Sequence, residues 1–472
     1  MSPRDMRGFL PAESVAQIHA TTVRFLENVG VEFPSSEALA LFKRHGLKTE
    51  GSLVYLTEAQ LFKALETVPR QFIIEARNVS RSVTVGAGRP VFVPGYGAPF
   101  LVDAMEGVRA PTMRDYDSLA KLSHALPNQD VSGHLLVEPG DVPADAATVA
   151  MLYAHMIHSD KAFVGSAKGA QGVANTMDMA RILFGGDLRD RYVCLALINS
   201  LTPLRYSTEM LDALVAFAEA RQPVIIAALA MAGSTAPVSL AGVLALQNAE
   251  LLAGVVLTQL INPGTPVIIG STSTNIDMKS GGLAIGSPEL SQMIAAHAQL
   301  ARFYGLPSRS GGALTDACYP DMQAGFESMM ALLTSVSSGI DVVLHAGGIL
   351  GSYLAFSFEK FVLDDEMCGM VRRFHEGIQV EPDTLAYDLA AGVGIGGNYL
   401  AEDHTVRRCR TEFWRPELSD RGGLDAWMKS GRLSAVDRAR QRWQKLVAKH
   451  QDPPLDALVA RQLRAYIEEH GC

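Results

Sequence analysis

Seven places in this chain set a polar or aromatic residue directly after a short apolar run: Tyr96, Glu138, Ser166 with Lys168, Asn199, Thr272, Arg309 and His345. His345 follows Asp341-Val342-Val343-Leu344 and precedes Ala346-Gly347-Gly348, so its ring projects where the backbone makes room. The competing reading is a core histidine hydrogen-bonded to a carbonyl. Asp316 and Asp321 flank the opening of a helix whose Gln323 and Glu327, four residues apart, share one face. Acids near a helix start are commonly caps and dipole partners, and a site role for Asp316 stands beside that reading. Aromatic groups form the other resource: Tyr96 and Phe100 in Gly-Tyr-Gly-Ala-Pro-Phe, Tyr206, Tyr353, Phe356 and Phe358. Aromatic faces attract quaternary ammonium groups, which have no hydrogen to donate. Phe356 and Phe358 read as core, whereas Tyr96, bracketed by glycines, points to a site.

These residues need a frame that brings them to one place. From about residue 91 to 376 short β-rich runs alternate with helical segments in eight units. The runs are Val91 to Pro94, Val131 to Val137, Lys161 to Gly165, Tyr192 to Ile198, Val224 to Leu229, Val267 to Gly270, Leu306 to Ser308 and Asp341 to Leu344. Thr112-x-x-Asp115, Ser207-Thr208-Glu209 and Ser287-Pro288-Glu289 mark helix starts, and Gly185-Gly186 marks a stop. Strands alternating with helices pair in parallel through right-handed crossovers, and eight units close a barrel. The expected fold is therefore α/β, a (β/α)8 TIM barrel over 91–376. An open doubly wound sheet would want G-x-G-x-x-G after the first strand, and none is there. Residues 1–90 read as a helical extension (Ser14 to Glu27, Ser36 to Arg44, Thr57 to Thr67) with short strands. Residues 377–472 read as a helical tail packing on the barrel, with Ala435 to Lys449 its clearest helix.

The active end of such a barrel is formed by the carboxyl ends of its strands, where all seven places above would lie. Composition narrows the chemistry. The 472 residues are 48% hydrophobic with a net charge of -9 and no dense basic cluster, which argues against nucleic acid as a partner. Val224 to Ala232, read as the longest apolar stretch, is about half a spanning helix, so no membrane insertion is expected. Met-Ser-Pro-Arg-Asp-Met-Arg-Gly lacks the apolar core of a secretory leader, and a cytoplasmic location is expected. The five cysteines form no C-x-x-C pair, and Cys318, His345 and His404 share no metal-ligand spacing, so no bound metal is expected. The Asp-x-His-x-x-Gly of a base-off corrinoid module is absent around His345, where the Asp lies four residues away.

Several collinear stretches then carry a resemblance. They are Gly95 to Phe100, Leu126-Pro-Asn-Gln-Asp130, Ser159-Asp160-Lys161, Thr315-Asp316-Ala317 through Asp321 to Glu327, and Asn398 to Thr405. Together they resemble the trimethylamine methyltransferase family over nearly the whole chain, and specifically its non-pyrrolysine branch with the glycine betaine:corrinoid methyltransferases. The resemblance implies a barrel that moves a methyl group from a quaternary amine such as glycine betaine to the Co(I) of a separate corrinoid protein. The cobalamin would then belong to the partner, and this chain would bind a small quaternary amine. On the residue readings above, Asp316 and His345 are the candidate catalytic pair, with Tyr96, Phe100, Glu138, Arg309, Gln323 and Tyr353 around the substrate. Arg309 or His345 would hold a substrate carboxylate. Where the family pattern has Lys in Asp-Ala-x, this chain has Cys318, which bears on substrate choice. A non-catalytic betaine-binding barrel and a decarboxylase or lyase are the competing classes. A homo-oligomer stays open, since nothing in the sequence specifies an interface.

Overall fold

Val, Ile and Ala dominate the eight short runs, as suits strands buried on both faces. They stand side by side in a computed structural model of the chain, which describes residues 8–103 and 107–470. The strands are β1 (Val91–Phe92), β2 (Val131–Ser132), β3 (Ala162–Val164), β4 (Cys194–Asn199), β5 (Val224–Ala228), β6 (Val267–Ser271), β7 (Ser308–Gly311) and β8 (Val342–Leu344). They pair in parallel in the order β1-β8-β7-β6-β5-β4-β3-β2. The ring closes between β1 and β2, where the Asp130 N–H donates to Phe92 O (2.9 Å) and the Phe92 N–H to Asp130 Oδ2 (2.8 Å). One helix follows each strand: α1 (Met113–Ala125), α2 (Ala144–His158), α3 (Gly169–Phe184), α4 (Thr208–Glu219), α5 (Leu240–Ile261), α6 (Pro288–Tyr304), α7 (Met322–Ser337) and α8 (Phe358–Glu376). This is the expected (β/α)8 barrel.

The local signals operate as read. Thr112 and Asp115 form a reciprocal capping box, Ser207 caps α4, and Ser287 caps α6 with Pro288 in its first turn. One run behaves differently: Val131 to Val137 contributes only two residues to the wall. From Gly133 the chain folds over the rim, where Gly97 donates to Leu135 O (2.7 Å) and Ala98 bridges to Val137.

Two ends of the barrel differ. At the amino ends of the strands a hairpin, Phe72–Ile74 with Val83–Val85, packs its apolar side chains against the inward residues Val91, Val131, Leu195, Ile225 and Val342. That end is plugged. At the carboxyl ends, Phe100–Asp103 and Ala355–Phe356 pair in a four-stranded sheet that joins the loops after β1 and β8. The helices expected near the amino terminus appear as Ala12–Asn28, Ser36–Arg44 and Glu58–Leu65, all against α5. Two further helices, α9 (Ala435–Ala448) and α10 (Ala457–His470), pack on α8 with α1 and on α2 with α3.

α5 corrects one expectation. Leu240–Ile261 is a longer apolar run than Val224 to Ala232, with Glu250 its single charge, and by length and composition it could cross a membrane. Its residues from Val243 to Gln259 are instead buried within the chain. Glu250 accepts hydrogen bonds from Ser200 Oγ (2.6 Å), Thr202 Oγ1 (2.9 Å) and the Leu204 N–H (2.9 Å), and so holds the loop after β4. The reading of the first residues as lacking a leader falls almost wholly on residues 1–7, and Cys472 is likewise outside the described residues.

Candidate active site

Arg309 is the most unusual residue at the open end. In the β7 register it pairs with Gly270 on β6 and Val342 on β8, and Gly270 pairs with Ala227 on β5, so small residues flank its stem. A Cβ at Gly270 would lie 3.0 Å from Arg309 Cδ, which explains the glycine. The Arg309 side chain is 2% exposed, and its Nε has no hydrogen-bond partner. Burial pulls the guanidinium down to about 10, with the neighbouring Tyr353 the only charge effect that opposes it. No carboxylate of the described residues pairs with this buried cation, although burial without one costs several kcal/mol.

The backbone after β8 is bent around it. His345, Ser352 and Tyr353 all have positive φ (61°, 55° and 77°), a conformation that non-glycine residues adopt at a cost and that clusters at functional sites. His345 Nδ1 accepts the Tyr96 N–H (3.2 Å), which leaves Nε2 as the protonated nitrogen of a neutral ring. Burial, followed by the Arg309 charge, holds His345 well below the usual histidine range. Its ring lies 4.8 Å from that of Tyr353. Tyr353 Oη is buried beside Thr272 and Arg309 and makes no hydrogen bond of ordinary geometry. Tyr96 is pushed up to about 12 by burial and secondarily by Glu138. The structure thus brings Tyr96, His345, Arg309 and Tyr353 together.

The predicted acids and amides fall elsewhere in the architecture. Asp316 accepts the Ile285 N–H and Ser352 Oγ on Oδ1 (2.9 and 2.7 Å) and the Gly286 N–H on Oδ2 (2.9 Å). It ties the loops after β6, β7 and β8 together, and so positions Tyr353 through its neighbour Ser352. Glu327 extends the tie, accepting Thr315 Oγ1 (2.6 Å) and the Asp316 N–H (2.9 Å). Gln323 is exposed and donates to Glu327 Oε1 (2.9 Å), so it braces the acid that extends the tie. Phe100, first in its strand, is 44% exposed, while Leu101 and Val102 after it are buried. Glu138 is exposed at the rim near Tyr96. Phe356 and Phe358 are buried in the core as read. Asp316→Asn should place an amide N–H against the donors it now accepts. An expected loss of about 2 kcal/mol in stability follows, readable by denaturant unfolding.

Sequence reasoning missed the support beneath these loops. Lys360 and Asp364, four apart on α8, form a buried pair (2.6 Å) in which Lys360 also donates to Ala313 O (3.0 Å) and Asp364 accepts the Gly348 N–H (2.8 Å). Opposite charges at helical spacing amid Phe358, Phe361 and Val362 were the available signal. As to metal ligands, His158, His450 and Asp452 converge within 4.8 Å, both rings hydrogen-bonded to one Asp452 oxygen, which clasps the segment before α10 to the end of α2.

A plugged barrel whose open end gathers an unpaired buried cation, two tyrosine rings and a neutral histidine has the build of an enzyme for a small anionic or zwitterionic molecule. Residues 4–471 match the model of the trimethylamine methyltransferase (MTTB) family, and the chain belongs to that family. A glycine betaine methyltransferase of Desulfitobacterium hafniense (strain Y51) is 47% identical over 464 residues, covering 98% of this chain and 97% of that protein. A proline betaine:corrinoid methyltransferase of Eubacterium limosum is 35% identical, covering 88% and 87%. Among solved structures the monomethylamine methyltransferase of Methanosarcina barkeri superposes with a TM-score of 0.54 over 93% of both chains, at 13% identity, a likeness of fold.

Proposed function

We propose that this chain transfers a methyl group from glycine betaine to a corrinoid held by a separate protein. The observation that carries the reading is Arg309, a buried guanidinium without a counter-acid, which a substrate carboxylate completes. The unpartnered Tyr353 Oη and the His345 Nε2–H are two further donors for that carboxylate. The same orphaned donors suit a betaine and leave the corrinoid to its own carrier, since His345 is 6% exposed with Nδ1 committed to the backbone. The corrinoid supplies the methyl acceptor at the open mouth; everything else is positioning by this chain.

The trimethylammonium group then faces the aromatic surfaces of Tyr96 and Tyr353. Loss of a methyl group converts that ammonium into a neutral amine, so no acid is needed to expel it. Arg309 repels the ammonium in the ground state, and this repulsion vanishes as the positive charge leaves nitrogen. A fixed cation in a dry site therefore favours the transition state over the bound substrate. No carboxylate of the described residues pairs with Arg309, which has the same sense, because an anion there would stabilise the ground-state cation.

Titration calorimetry tests the reading without catalysis. Glycine betaine should bind, whereas choline, a cation with no carboxylate, should be rejected by Arg309; equal binding of the two would refute it. Tyr96→Phe keeps the ring face and should cost little, while Tyr96→Ala should lower kcat/KM by roughly tenfold or more, an effect of about 1–2 kcal/mol. Equal losses in initial-rate measurements would remove Tyr96 from the cage.

A further inference from the structure

The carboxyl-terminal helix is fastened to the barrel by little apolar area. Among residues 449–470, Pro453 and Leu463 are the buried ones, and the 14 residues of α10 are too few to hold a helix alone. Polar contacts fix the segment before it. Arg77 Nη1 donates to Pro454 O (2.6 Å), and Asp452 Oδ1 takes hydrogen bonds from His158 Nδ1 (2.6 Å) and His450 Nε2 (3.1 Å). The His450 side chain is 4% exposed, and its ring packs edge-on against those of His158 and His124, with centres 5.7 and 5.5 Å away.

Two ring nitrogens and a carboxylate oxygen therefore converge on one point, all within 4.8 Å of one another. Imidazole and carboxylate are donors that zinc takes together, at about 2.1 Å each. Such bonds need the donors about 3.4 Å apart, so the widest pair must close by about 1.4 Å. Asp452, whose side chain is 51% exposed, has room for that movement. The far edge of His158 gives an independent sign. With Nδ1–H donated to Asp452, a neutral ring turns a bare Nε2 toward Asp117 Oδ1, 3.8 Å away, acceptor against acceptor. An ion on Nδ1 requires the tautomer with its proton on Nε2, and Asp117 then faces a donor. Metal-bound histidines characteristically have such an outer carboxylate. His158 and Asp452 stand 294 positions apart, which is why no local spacing marks the set.

We infer that His158, His450 and Asp452 bind a zinc ion that staples α10 to the end of α2. α2 returns from the carboxyl ends of the strands to their amino ends, so the ion lies away from Arg309 and serves attachment of the tail. Water fills the fourth position, and the ion exchanges with the medium. The full chain, prepared without a histidine tag and stripped by a chelator, should take up one zinc per molecule from micromolar zinc chloride, read against a chromophoric competitor. Hydrogen exchange across 450–470 should slow when zinc is added. His450→Gln should weaken zinc binding by roughly 100-fold, and Asp117→Asn, which leaves all three ligands in place, by about tenfold. Cobalt(II) on the wild-type chain supplies a check that needs no variant: the intense visible absorption of a four-coordinate site, lost when zinc displaces it. No uptake at micromolar zinc, equal uptake by His450→Gln, or uptake that leaves exchange across 450–470 unchanged would overturn the inference.

Discussion

Arg309→Met should abolish useful turnover of glycine betaine and at the same time make the protein more stable. The two effects have one origin. Arg309 is 2% exposed and lacks a carboxylate partner, so the folded state carries the cost of a desolvated cation. Replacement of such a charge by an apolar side chain of similar length should stabilise the fold by about 1–4 kcal/mol, seen as a higher Tm. The same change removes the partner of the substrate carboxylate. That loss is worth about 3–5 kcal/mol, or roughly two to four orders of magnitude in kcat/KM. Arg309→Lys keeps the charge and loses the planar fork, and should fall between. A variant that is less stable and equally active would show that Arg309 serves the core.

Acidification should weaken the fold well before ordinary carboxylates titrate. His134, His155, His297 and His345 are all buried, and burial is the leading cause that lowers each of them: to about 4, about 3 and about 4 for the first three, and well below the usual value for His345. In the unfolded chain each returns to about 6.5. The unfolded state therefore binds more protons between those values, and stability is lost as pH falls below about 6.5. At pH 5 His134, His155 and His297 cost about 2 kcal/mol each, and His345 acts in the same direction. Asp364 and Asp365, both raised to about 6 chiefly by burial, oppose this by about 1 kcal/mol each. The net of these valued groups is a loss on the order of 4 kcal/mol between pH 7 and 5, measurable as a fall in the urea midpoint. A flat midpoint across that range would contradict the buried neutral histidines.

The barrel was legible because its signals are local. Strand runs, capping residues and the Gly185-Gly186 stop each act within a few residues, so eight βα units emerge from the letters alone. The candidate site was legible only where position along a strand decides it, as for Arg309 within β7 and His345 directly after β8. Asp316 and Gln323 show the limit. The shared helix face of Gln323 and Glu327 is real, but whether the Asp316 carboxylate faces substrate or backbone depends on Ile285, Gly286 and Ser352, which lie 30 or more residues away and reach Asp316 only through tertiary packing. Tyr353 owes its place to positive φ values that no pattern of residue types reveals. Lys360 and Asp364 went unread because their burial comes from the loops folded over α8.

The most direct test of the central claim is anaerobic: the protein is mixed with excess reduced corrinoid, then with its carrier protein, and dimethylglycine formed from glycine betaine is followed by nuclear magnetic resonance alongside parallel reactions with choline and trimethylamine. Dimethylglycine from glycine betaine, with the two cations that lack a carboxylate left intact, is the predicted result. No dimethylglycine even with the carrier present, or demethylation of choline at a comparable rate, would contradict a methyl transfer organised around Arg309.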